Sequence, residues 1–121
     1  MIEHFIFISF LLIFIFSTIG YGLLFSKLIF KDFIVLNYGY QGVVGFFTLC
    51  LISIITSYFI AHGFSHNIII HIIGVTYFIY NLVHNRDKKL KELALLLIII
   101  LVLVIGVYVF KNHDDFPYYH L

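Results

Sequence analysis

Charge is what this sequence has least of. Only 11% of its 121 residues are Asp, Glu, Lys or Arg, where a soluble domain carries about a quarter. There is one proline and one cysteine. A single cysteine makes no intramolecular bridge, which excludes a disulfide scaffold. One proline and eight glycines exclude a collagen-like or low-complexity chain. A net charge of +1 supplies no long-range field to recruit a polyanion, so nucleic-acid binding is excluded as well. Walker loops, dinucleotide fingerprints, Gly-x-Ser-x-Gly and His-Glu-x-x-His are all missing, and with them any self-contained soluble catalytic domain.

What the sequence has is apolar side chains: 63% hydrophobic and 20% aromatic, with a mean hydropathy of +1.12. A chain this apolar is neither disordered nor a soluble globule, and its solvent is the bilayer. Charged residues cut it into apolar blocks from His4 to Ser26, Phe33 to Asn85 and Leu93 to Phe110. About 20 apolar residues cross a bilayer core, so the outer blocks hold one span each. The middle block holds two, with the polar cluster His62 to Asn67 as the turn between them. The expected spans are 5–26, 41–61, 67–84 and 92–110. Runs such as Leu93 to Val102 do not alternate apolar with polar residues, so the spans are helices and not barrel strands. The fold class expected is all-α, an integral membrane protein with four transmembrane helices. Met1-Ile2-Glu3-His4 has no Lys or Arg, and no small-x-small site follows the first span cleanly, so that span reads as a retained helix and not a signal peptide.

Basic residues set the expected orientation. Lys27 and Lys31 follow the first span, and Arg86, Lys88, Lys89 and Lys91 follow the third, which leaves only Lys111 elsewhere. Cytoplasmic loops carry the Lys/Arg excess. Loops 27–40 and 85–91 are therefore expected in the cytoplasm of a bacterial inner membrane, with the N-terminus, the His62–Asn67 turn and the C-terminus outside. The 86–91 run also suits anionic lipid head groups. Gly39, Gly42 and Gly45 recur every third residue and are expected to pack against a neighbouring helix, while Gly20 and Gly22 are available for a partner surface.

Two groups of residues point to chemistry. In the tail, Asp114 and Asp115 put adjacent carboxylates just beyond the last span, suited to general-base work, a cationic group or a divalent cation. Pro117 changes the backbone geometry there. His113, Tyr118, Tyr119 and His120 are suited to stacking on a sugar or contacting a phosphate, while tyrosines at this depth also form the ordinary aromatic belt. The second group is His62, His66 and His71. An i, i+4 pair on a helix with a third ligand would hold a metal or carry protons, but Gly63 and Ser65 mark a turn, where that spacing means little. A neutral imidazole bonded between helices is the simpler account of His71, and no metal site is assigned. Cys50 lies alone within the second span.

The segment His113-Asp114-Asp115-Phe116-Pro117-Tyr118-Tyr119-His120-Leu121, after four hydrophobic spans, resembles a family of large bacterial polytopic membrane proteins of uncharacterised activity, whose layout is similar to that of GT-C glycosyltransferases. The resemblance implies an N-terminal segment of a longer enzyme that takes sugar from a polyprenyl-phosphate donor on the non-cytoplasmic side. It also implies that Asp114 or Asp115 acts as catalytic base or cation ligand, with His113, Tyr118, Tyr119 and His120 near the substrate. The alternative is a small non-enzymatic membrane subunit or transporter component, with membrane lipids as its partners.

Overall fold

The computed structural model describes residues 2–29, 37–61 and 63–111. Among them are four α-helices and no strand: α1 Ile2–Ile29, α2 Tyr38–Ser57, α3 Phe64–His84 and α4 Arg86–Lys111. Each is long and apolar enough to cross a membrane; even α2, with 20 residues, spans about 30 Å at 1.5 Å per residue.

The helix ends follow backbone capping more closely than hydropathy. α2 opens at Tyr38, ahead of the expected position 41, because the Asn37 side chain accepts the Tyr40 N–H at 3.0 Å and the Asn37 carbonyl accepts the Gln41 N–H at 3.1 Å. Asn caps a helix well by satisfying a donor the helix itself leaves unpaired. The same helix stops at Ser57, short of the expected 61: the Phe59 and Ile60 amides both fold back on the Thr56 carbonyl. α3 opens after Gly63, whose carbonyl accepts the Asn67 N–H. Ser65, His66 and Asn67 therefore lie on a helix, not in the expected turn. The largest correction is at 85–91, expected as a loop. Asn85 ends α3 by donating its N–H to the Asn81 carbonyl and opens α4 by accepting the Lys89 N–H. One residue joins the two helices, and the basic run forms the first turns of α4. Hydropathy breaks there because Lys, Arg and Glu avoid hydrocarbon, yet all three are good helix formers.

α1 is the central helix and packs along both α2 and α3, while α4 meets α2 and α3 only sparsely. Gly22 meets Gln41 and Thr18 meets Gly45, so α1 and α2 run antiparallel; Phe14 meets His71 and Ser17 meets Gly74, so α3 runs parallel to α1. The ends nearest Lys27, Asn37, Asn85 and Arg86 thus share one end of the bundle. A Cβ on Gly20 would overlap the Gly74 carbonyl, one on Gly22 the Gln41 carbonyl, and one on Gly45 the Thr18 carbonyl. Backbones approach this closely only where a side chain is missing. Gly45 packs as expected. Gly20 and Gly22, expected on a partner surface, are consumed inside the chain instead, since α1 has a neighbour on both sides. Gly42 has only an ordinary contact with Ile19, and Gly39 is exposed.

The interior is more polar than the surface. Ser17, Thr18, Ser26, Gln41 and Thr48 are buried, while phenylalanines and isoleucines cover the outside. Lipid offers apolar side chains no incentive to hide, so small and hydrogen-bonding residues take the interfaces. Ser26 donates to Gln41 Oε1 at 2.9 Å, and Tyr21 donates to the Ile70 carbonyl at 2.9 Å. The apolar part of the core is compact: Phe16 stacks on Phe78 at 4.8 Å, Tyr38 tilts against Phe78 at 5.5 Å, and Ile19 closes the cluster.

Candidate functional site

His113, Asp114, Asp115, Tyr118, Tyr119 and His120 lie outside the described residues, as does His62. Of the histidine triad, His66 and His71 are both on α3, five positions apart, which turns their side chains about 140° from each other. His66 Nδ1 lies 3.3 Å from Asn67 Oδ1, whereas His71 turns to α1 and places Nδ1 3.0 Å from Ser17 Oγ. No group of three potential metal ligands forms among the described residues.

The structure gathers a different set around His71. Asn67 and His71, at i and i+4, share one face of α3. Phe46, Cys50 and Ser53, spaced by four and three, share one face of α2, and Phe14 comes from α1 one turn before Ser17. Together they line a cleft of about 270 Å³ between the three helices. Phe46, Cys50 and Asn67 are exposed, so the cleft opens on the outer surface of the bundle. His71 itself is half-buried, with the Phe14 ring edge-on at 6.0 Å.

Ser17 and His71 share one hydrogen bond, and its direction goes with the tautomer of the ring. Ser9 and Thr18 on the same helix donate back to the carbonyls of Phe5 and Phe14. Ser17 makes no such bond; its partner among the described residues is His71 Nδ1. With the Ser17 hydroxyl donating to Nδ1, the ring proton sits on Nε2. At Asn67 the oxygen faces His66 Nδ1, which leaves the NH₂ group without a partner among the described residues. In that tautomer His71 and Asn67, which both line the cleft with Phe14 and Phe46, each carry an N–H group. Of these residues only His71 was singled out from the sequence as ionisable. The i, i+4 pair Asn67 and His71 was the signal for the rest, obscured by reading 62–67 as a turn.

A second polar group sits at the basic end. Lys89 is only 2% exposed, with Nζ 2.8 Å from Glu92 Oε2 and 4.9 Å above the centre of the Tyr38 ring. It ties the first turns of α4 to the start of α2. The Tyr38 hydroxyl and Asn81 Oδ1 are buried nearby without a hydrogen-bond partner among the described residues. Lys27, Arg86 and Lys91 are exposed at the same end. Set against protein-family models, curated proteins and solved structures, the chain matches none of them.

Proposed function

We propose that the chain is a membrane-embedded assembly unit, a non-enzymatic subunit in which α1, α2 and α3 form a fixed core and α4 is presented to other transmembrane helices. The observation that carries this reading is the contrast in packing: α1 packs along both α2 and α3, while α4 meets α2 and α3 only sparsely. Burial of the apolar stretch falls from 33% in α1 to 11% in α2 and α3 and 6% in α4. A gap of about 290 Å³, floored by Gly39 and Gly42, separates α4 from α1 and α2. Helices in lipid associate through close packing, and α4 has little of it here. The test is a cysteine scan along α4 in a Cys50→Ser background. Substitutions at Leu95, Ile98, Val102 and Ile105, all exposed, should give discrete cross-linked species from one face of the helix. Uniform or absent cross-linking along every face would refute the reading.

The glycosyltransferase reading is favoured by one observation of its own. α4 runs from the basic end to finish at Lys111, at the end of the bundle remote from Arg86, and Asp114 and Asp115 follow it in the sequence. In that reading one carboxylate deprotonates an acceptor hydroxyl or holds a divalent cation at the donor phosphate. Asp114→Asn with Asp115→Asn should abolish transfer from a polyprenyl-phosphate sugar in membranes without lowering protein levels. Full retained transfer would overturn it.

The orientation belongs with both readings. Lys27, Arg86, Lys89 and Lys91 at one end support a cytoplasmic position for that end in a bacterial inner membrane. Reporter fusions after Lys27 and after Lys111 should give cytoplasmic and external signals respectively.

A further inference from the structure

The cleft between α1, α2 and α3 has a depth, a size and a donor pattern that together specify a ligand class. His71 is the eighth residue of α3, which places it about 10 Å below the start of a helix about 30 Å long. Asn67 lies one turn, about 5.4 Å, nearer that end. A hydrocarbon core is also about 30 Å thick, so His71 sits roughly a third of the way in. The ester carbonyls of a phospholipid stay near the edge of the core, closer to the level of Asn67 than to that of His71. An acceptor that satisfies both donors must itself dissolve in the membrane. At about 270 Å³ the cleft falls just under the ~300 Å³ where drug-sized pockets begin, so it takes a single ring and not a whole lipid. Phe14 and Phe46 line it and supply aromatic surface for a flat group. The separation of the two donors along α3 is of the same order as that between the para oxygens of a six-membered ring.

We propose that this cleft binds the head group of a lipid-soluble quinone, with His71 Nε2–H and the Asn67 amide donating to its ring carbonyls and Phe14 and Phe46 against the ring. In the tautomer that accepts the Ser17 hydroxyl at Nδ1, His71 carries its proton on Nε2 and is a donor. In a bilayer such a donor has no water to turn to, and leaving it unmade is costly. Thiol addition is no part of the binding, because a fully substituted ring has no position open to Cys50.

The experiment is photolabelling of the full chain in phosphatidylethanolamine and phosphatidylglycerol vesicles with an alkyl azidoquinone, mapped by peptide mass spectrometry. Label is expected on the α2 segment 46–53 and the α3 segment 67–71. Excess decylubiquinone should remove it, and decylbenzene, which shares the tail but lacks the carbonyls, should not. Asn67→Leu and His71→Leu should each lower labelling about tenfold, the effect of one hydrogen bond. Asn67 is exposed, so Asn67→Leu keeps the fold and decides the matter even if His71→Leu fails to assemble. Label spread along the outward face of α4 without competition would overturn the proposal, as would full labelling of Asn67→Leu. So would labelling that appears only in ether-linked lipid vesicles, since the site would then belong to phospholipid ester carbonyls.

Discussion

Gly20 and Gly74 meet backbone to backbone, and neither side of that contact can yield by turning a rotamer. The nearest atoms to an added Cβ on Gly20 are the carbonyl and Cα of Gly74. Gly20→Ala should therefore push α1 from α3 and destabilise the fold by about 1–3 kcal/mol, the usual range for overpacking. Gly106→Ala is the control: a Cβ there meets nothing within 4 Å, so it should be neutral. Unfolding in mixed detergent micelles reads both, and equal stability of the two variants would contradict the packing described. Lys89 and Glu92 make a second residue-scale case. Removing one partner of a buried ion pair takes from the other its nearest counter-charge, while removing both takes away that cost. Glu92 keeps about a third of its side chain exposed, so water softens the penalty. Glu92→Gln should still destabilise more than Lys89→Met with Glu92→Gln, and the reverse order would show that the pair does not couple. At this scale the sequence was legible in part. Gly45 and His71 carry a signal by residue type alone. Ser17 does not, because a serine in a transmembrane helix ordinarily bonds to its own backbone, and only the arrival of α3 redirects it.

Helix existence was written in hydropathy, but helix ends were not. Hydropathy reports where a side chain is content in hydrocarbon. A helix ends where its backbone donors and acceptors find other partners. At α2 those partners are Asn37 at one end and Thr56 at the other, which shifted the helix toward the N-terminus of its expected span. At 85–91 the two measures diverged completely, since Lys and Arg leave the hydrocarbon while continuing the helix. The tail residues Asp114 and Asp115 were singled out by residue type and by resemblance, and they lie outside the described residues. Asn37→Ala tests the capping account. Loss of an Asn cap costs about 1 kcal/mol, and the change should be local: faster hydrogen exchange at the Tyr40 and Gln41 amides, with the Gly74 region unaffected. Unchanged exchange at Tyr40 would mean that packing, not capping, sets the start of α2.

Across the whole molecule, burial is distributed by helix and by end. The class of the molecule was plain from composition, and the close packing at Gly45 was foreshadowed by the glycine spacing of α2. The standing of α4 was not, because its leucine and isoleucine run carries no small-residue face to show which side packs. α4 is tied at the basic end by the one-residue connection at Asn85 and by Lys89 with Glu92 and Tyr38. Its last buried residue among those described is Ile100, and the turns from Leu101 to Val109 are held by little packing. The bundle should therefore behave as a fixed trio with a fourth helix anchored at one end. Spin labels at Phe5 and Phe64, both exposed, report the distance between the first turns of α1 and α3 and should give a narrow distribution. Labels at Phe5 and Val109 report the free end of α4 against α1 and should give a broader one. Adding the helices that the assembly reading calls for should narrow the second distribution and leave the first unchanged. If the two are equally narrow in the isolated chain, α4 belongs to the core, and the basis for presenting it to partners is gone.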